Sequence, residues 1–196
     1  MERQRTFQTI YGTDGRCFEV GTSLEMNMKD LKRADSLSSL LDDKKIKLRS
    51  KQKRHIKRRR LRCFERVRNR VRDLHHKVSS WLVKSYRVIL IPTFETQNIV
   101  SKAKNLHSSV CRKLLTWSHY MFRLRLIAKA QYHNAKVVVC GESYTSKTCG
   151  KCGVLNDIGS SKNFECTECG FECDRDRNAA RNILLKHLSF IGKFSS

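Results

Sequence analysis

Cys149-Gly150-Lys151-Cys152, then thirteen residues, then Cys166-Thr167-Glu168-Cys169: this stretch decides how the chain folds. Two C-x-x-C knuckles at that separation are a strong signature of a tetrahedral structural zinc site, with Cys149, Cys152, Cys166 and Cys169 as ligands. Each knuckle must fold back so that two thiolates face one ion, and Gly150, Gly153 and Gly170 permit such turns. Four thiolates leave no open coordination position, so the Zn2+ holds structure and does not catalyse. The competing explanation is a pair of redox or disulfide motifs. The turn glycines, and a start (Met1-Glu2-Arg3-Gln4-Arg5) without the apolar run of a secretion signal, weigh against it.

Charge points to the partner. The 196 residues carry 41 Lys or Arg against 18 acids, a net charge of +23 with a pI near 10.1. Such a field attracts polyanions, and nucleic acid is the usual one. Residues 44–72 alone hold 16 Lys or Arg and a single acid, Glu65. Within them Lys53, Arg54, Lys57, Arg58, Arg59, Arg60, Arg62 and Arg66 are the expected phosphate contacts; a solvated helix face or a nuclear-localisation signal is the plainer alternative. Apolar runs such as Val88–Ile91 and Val137–Cys140 are far too short to span a bilayer. The expectation is a soluble intracellular protein, nuclear in a eukaryotic host, with no membrane contact.

The hydropathy pattern predicts an α/β layer. Residues 5–21 read as a hairpin, with Gly12-Thr13-Asp14-Gly15 as its turn. From about 27 to 84 the pattern is helical: Phe64, Val67, Val71, Leu74, Val78 and Trp81 recur every three or four residues, predicting a helical hairpin with a basic outer face. Tyr86–Ile91, stopped by Pro92, and Lys136–Cys140 read as buried strands. One long helix is expected between them, from about 97 to 132, with Val100, Leu106, Val110, Leu114, Trp117 and Met121 facing inward. A last helix over 175–188 buries Ala179, Ala180, Ile183 and Leu184, with a frayed tail from Ser189. The domain division expected is 1–141, then a ribbon over 142–173, then 174–196. Tyr144 and Phe164 read chiefly as the ribbon's small core, with base stacking as the alternative. His75, His76 and His119 read as packing or surface residues.

Three acids stand near strand ends, where open α/β sheets place their chemistry. Glu95 follows the first buried strand, Glu142 the second, and Asp176 opens the last helix. Converging carboxylates there could hold Mg2+ for phosphodiester cleavage. Helix capping by Asp174 and Asp176, and solvated loop acids at Glu95 and Glu142, are the alternatives.

The string Glu142-Ser143-Tyr144-Thr145-Ser146-Lys147-Thr148-Cys149-Gly150-Lys151-Cys152-Gly153, with Asp174-Arg175-Asp176-Arg177-Asn178-Ala179-Ala180-Arg181-Asn182-Ile183-Leu184, resembles the zinc ribbon and final nuclease motif of the OrfB/TnpB proteins. These are transposon-encoded relatives of type V CRISPR effector nucleases. Ile91–Gln97 and Trp117–Arg123 look more like the eukaryotic and viral branch called Fanzor. The resemblance implies an RNase H-like (RuvC) nuclease fold interrupted by the ribbon, DNA cleavage directed by a guide RNA, and three acids holding Mg2+. The third acid is Asp176. The second is Glu142, displaced as in Fanzor-like members, or Glu95. Aligning Arg5-Thr6-Phe7 with the family's Asp-Pro-Gly-x-Arg-Thr-Phe places Met1 where the first Asp stands. Glu2 would point to the opposite face of that strand, and Asp14 lies in the hairpin turn.

The expectation is therefore the C-terminal part of such a nuclease, incomplete at the N-terminus: it binds zinc and nucleic acid (DNA, with guide RNA as a further partner) but lacks competent cleavage, with Mg2+ relevant only if the site is completed. Two alternatives stand beside it. One is an active endonuclease whose start is mis-called or whose N-terminal part is separate. The other is a non-catalytic zinc-ribbon regulator.

Overall fold

Two short apolar strands lying parallel set the frame. The structure, a computed structural model, describes residues 7–21, 25–93, 108–159 and 161–191. Strands β3 (Val88–Pro92) and β4 (Lys136–Cys140) pair in parallel, with Val88 opposite Lys136 and Pro92 opposite Cys140. Pro92 has no N–H to give the ladder and occupies the strand's last position. Strands β1 (Gln8–Tyr11) and β2 (Cys17–Val20) form the expected antiparallel hairpin. Asp14 is engaged in its turn, accepting the Arg16 N–H at 3.0 Å.

Helices α1 (Glu25–Asp42) and α2 (Ser50–Ser85) make the helical hairpin. Cys63, Val67, Val71, His75, Val78 and Leu82 draw one buried stripe along α2 at steps of three or four. The hairpin is antiparallel: Asp30 on α1 takes Arg66 and Arg70 at 2.7 and 2.6 Å, while Ser38, further along α1, accepts Arg60 at 3.3 Å. The Arg66 hydrogen bond, with Arg70 beside it, holds the Asp30 carboxyl below its usual range. No helix among the described residues is long and apolar enough to cross a membrane.

The crossover from β3 to β4 departs from the single helix expected. Its described part is two helices, α3 (Ser108–Trp117) and α4 (His119–Tyr132), and residues 97–107 lie outside the described residues. Ser118 between them is left-handed, at φ 47° and ψ 53°. The break has a tertiary partner: the Trp117 carbonyl meets the His75 ring nitrogen Nε2 at 2.9 Å. It also resets the helical face. His119, Phe122, Leu126 and Ala130 turn inward, and Met121, expected inside, is 49% exposed.

Phe7 is the hub of the core. Its ring lies 5.2 Å from His75, 5.0 Å from His119, 4.9 Å from Trp117 and 5.0 Å from Phe122, centroid to centroid. Burial is the main reason both histidines are pushed down to about 4; the Arg125 cation adds to it at His75, and His75 adds to it at His119. Arg125 points a donor at His75 Nδ1, 3.1 Å away, so that nitrogen is an acceptor and Nε2–H donates to Trp117. Both values lie below the unfolded 6.5, so as pH falls the unfolded chain takes up protons first. Stability is complete above pH 6.5 and is lost progressively towards pH 4, by about 3 kcal/mol per histidine. Urea midpoints measured between pH 7 and 4 should show this slope, and His75→Gln/His119→Gln should flatten it. An unchanged slope in the double variant would refute the assignment.

The last helix, α5 (Arg175–Ile191), packs on β1 and β3. Ala180, Ile183 and Leu184 close one wall of a cavity of about 330 Å3, floored by Leu82, Phe122 and Leu126 and flanked by β1 and β3. Among the described residues β1 pairs with β2 and β3 with β4, so the strands form separate two-stranded sheets around this cavity. The remaining strands, β5 (Asn163–Glu165) and β6 (Glu172–Asp174), belong to the cysteine module.

Candidate metal centre and nucleic-acid interface

Both knuckles close in the same way. The Gly153 N–H donates to the Cys149 carbonyl at 2.9 Å, and Gly170 N–H to Cys166 at 3.0 Å. These glycines sit at φ 82° and 63°, where a side chain would be strained. Gly150 differs: its φ is ordinary, but an added Cβ would lie 2.7 Å from Arg181 Nη1 and 2.8 Å from Asn178 Oδ1. It is required by the approach of α5 and not by a turn. The four sulfurs lie within 4.8 Å of one another, with Cys149–Cys169 at 3.7 Å and Cys152–Cys166 at 3.5 Å. Tetrahedral thiolates around an ion at 2.3 Å would be about 3.8 Å apart, so the tetrad fits a metal ion. The Cys166 thiol is held down at about 6, first by the Cys169 backbone N–H.

Asn156, buried between the knuckles, joins them. Its Oδ1 accepts the Thr167 N–H and hydroxyl at 2.9 and 3.0 Å, and its Nδ2 donates to the Val154 carbonyl at 3.0 Å with Cys166 Sγ at 3.7 Å. Phe164 is fully buried and forms the module's core with Ile158, Phe171 and Cys173.

Helix α5 clamps the first knuckle through side chains that the sequence pattern did not single out. Asn178, 2% exposed, gives Nδ2 to the Thr148 carbonyl at 2.7 Å and takes the Gly150 N–H at 3.0 Å. One turn on, Asn182 bonds the Thr145 and Thr148 carbonyls at 2.9 and 2.7 Å; Arg181 bonds Gly150, and Lys186 reaches Ser143 at 3.3 Å. The signal was there: asparagine at i and i+4 is a poor helix former and needs a reason to sit mid-helix.

Tyr144 overturns the expectation that it belongs to the core. It is 68% exposed and left-handed at φ 66°, a conformation costing roughly 1–2 kcal/mol for a residue with a Cβ.

The carboxylates sit on different elements. Glu142 follows β4, half-buried, and burial raises its pKa. Asp176 is exposed in the first turn of α5, where Asp174 caps, accepting the N–H of Asp176 and Arg177 at 2.9 and 3.2 Å. Lys186 bonds Ser143, next to Glu142, and Asp176 lies ten residues, about 15 Å, back along the helix axis. There burial raises the pKa of the Cys17 thiol, beside the β1–β2 turn, and Asp176's neighbour Arg177 lies close enough to pull it down against that burial. Glu95 lies outside the described residues. Among those residues no group of three or more possible ligands other than the cysteine tetrad comes together.

The basic run occupies the first half of α2. Lys53, Arg54, Lys57, Arg58, Arg59 and Arg62 are exposed; Arg60 is partly buried against Ser38, and Arg66 is engaged with Asp30.

Comparison with known proteins places this arrangement. Residues 119–183 match the Cas12f1-like, TNB domain family. Over 185 residues, 92% of the chain, it is 37% identical to the TnpB-like protein L79 of Acanthamoeba polyphaga mimivirus. The chain belongs to the TnpB/OrfB family. It is also 31% identical, over 88% of its length, to the putative RNA-guided DNA endonuclease InsQ of Escherichia coli (strain K12). This TnpB-like chain spans about a third of L79 (35%) and under half of InsQ (44%). Its fold matches part of the protein in the cryo-EM structure of a Cas12f1-sgRNA-target DNA complex, with a TM-score of 0.60 at 16% identity over 86% of this chain and 43% of that one. The TNB match begins at the first residue of α4 and ends in α5, so it takes in the cysteine tetrad and the asparagine clamp together.

Proposed function

We propose that this 196-residue TnpB-like chain is a nucleic-acid-binding, zinc-stabilised part of a TnpB/Fanzor-type RNA-guided DNA endonuclease, and that alone it does not cleave. The observation that carries the binding half is the first half of α2, where Lys53, Arg54, Lys57, Arg58, Arg59 and Arg62 are exposed and form no ion pair with a carboxylate among the described residues, unlike Arg66. Phosphate contacts from such a helix are sequence-tolerant and position the ligand. The cysteine tetrad suits Zn2+, for which four thiolates make a closed structural site. The viral origin of relatives such as L79 and the putative transposase A625R of Paramecium bursaria Chlorella virus 1, at 38% identity, supports the Fanzor-like reading.

Mg2+ fits less well. Glu142 and Asp176 are the carboxylates proposed to hold it, yet among the described residues no group of three or more possible ligands other than the cysteine tetrad comes together. No cleavage step is therefore assigned to the chain. Given Mg2+ and single- or double-stranded DNA, both the wild type and Asp176→Ala should bind the DNA and leave it intact. Cleavage by the wild type that Asp176→Ala abolishes would overturn the inactive reading and make Asp176 a metal ligand.

A further inference from the structure

The loop between β4 and the first knuckle presents one large aromatic side chain that is mostly exposed. Tyr144 lies two residues after Glu142, two thirds exposed, in a backbone conformation that L-residues avoid. Its ring makes no aromatic or cation contact with a described residue, since the ring stacks and the cation–π pair lie elsewhere. Its backbone is held on every side. The Tyr144 carbonyl accepts the Lys147 N–H, the Thr148 N–H and the Thr148 hydroxyl, each at 2.9 Å. The carbonyls before and after it, on Ser143 and Thr145, are taken by Lys186 and Asn182 of α5. Strain that neighbours hold in place, at a residue whose side chain is two thirds exposed, points to use of the side chain.

What that ring can do follows from its setting. An exposed aromatic face on a rigid loop, in a chain of net charge +23, suits the flat face of an unpaired base. Cations belong to the same loop and its clamp: Lys147, three residues on and paired with Asp157 at 3.1 Å, and Lys186, which bonds the carbonyl of Ser143 next to Tyr144. The exposed Leu155, paired with Thr148 across the isolated bridge, extends the apolar surface.

We propose that Tyr144 is a stacking platform for an unpaired nucleobase of a single-stranded nucleic acid, a site that rests on the nucleic-acid-binding function above. The full 196-residue chain with zinc is titrated with a single-stranded oligonucleotide containing 2-aminopurine and with the same oligonucleotide made duplex. Tyr144→Ala should bind the single strand about tenfold more weakly, about 1.4 kcal/mol, which is the scale of one base stacked on one aromatic. Duplex affinity and the salt dependence should not change. Tyr144→Phe should keep wild-type affinity and quench the probe. Tyr144→Gly loses the ring but relieves the strained φ, so it should behave as the alanine variant does without loss of folding. Wild-type single-strand affinity in both Tyr144→Ala and Tyr144→Gly would overturn the platform. Failure of the wild type to bind either nucleic acid would overturn the function it rests on, and the platform with it.

Discussion

Cys166→Ser should lower zinc affinity by well over a hundredfold and unfold the cysteine module while leaving the α2 core intact. The argument starts from size. Residues 148–174 enclose one fully buried aromatic, Phe164, with Ile158, Phe171 and Cys173 around it. A core that small cannot hold its own backbone in place, so the metal must supply the stability. Structural zinc sites contribute about 10–16 kcal/mol of apparent binding free energy at neutral pH, and that energy is folding energy. Removing a hydrogen-bond partner of a metal ligand already costs about 10–100-fold in affinity, and losing a thiolate costs more. Cys166 is the sharpest test because Asn156 Nδ2, the Cys169 backbone N–H and the partner sulfur at 3.5 Å all meet at its sulfur. Competition with a chromophoric chelator reads the affinity. Hydrogen exchange reads the rest: chelation or Cys166→Ser should expose amides of 148–174 and of the first turns of α5, which Asn178 and Asn182 tie to the knuckle. Amides of α2 should stay protected. A module that keeps its protection without metal would show that it folds by packing.

The features legible in the sequence are those set by local chemistry. Knuckle spacing identified the tetrad, β-branched runs identified β3 and β4, and the three-and-four spacing of apolar residues identified the buried face of α2. What escaped was set by distant partners. Nothing at Ser118 announces a helix break; the bond from His75 to the Trp117 carbonyl, 42 residues apart in sequence, accompanies it. Gly150 looked like a turn glycine because its neighbours are, but the contact it must accommodate comes from α5. Asn178 and Asn182 have no packing role in the sequence pattern, since a pattern of polarity cannot distinguish water from an unsatisfied carbonyl nearby. Aromatic content suggested that Tyr144 fills the ribbon, whereas Phe164 alone takes that place. The position of an acid after a strand shows that it lies near the sheet's edge. It does not show which end of the sheet the first turn of α5 meets, and that determines whether Glu142 and Asp176 can share an ion.

Replacing Lys53, Arg54, Lys57 and Arg58 by glutamine should weaken duplex DNA binding roughly 4,000-fold at 0.1 M salt. Each phosphate contact releases about 0.9 of a counterion from B-DNA, so at 0.1 M salt each lost contact costs close to tenfold. Four lost contacts should also reduce the slope of log K against log salt by about 3.6. The four residues are chosen because they are exposed on α2 and no ion pair to an acid engages them among the described residues. Arg66 provides the contrast. Its guanidinium bonds the Asp30 carboxylate through Nε and Nη2 at 3.0 and 2.7 Å, so it is committed to holding α1 against α2. Arg66→Gln should therefore lower the melting temperature and leave the salt slope nearly unchanged. Net charge alone predicts otherwise: any four cations removed from +23 would weaken binding alike. A quadruple variant with an unaltered slope, or an Arg66→Gln slope that falls as steeply per residue as the others, would show that the charge acts as a diffuse field and that α2 is not the contact surface.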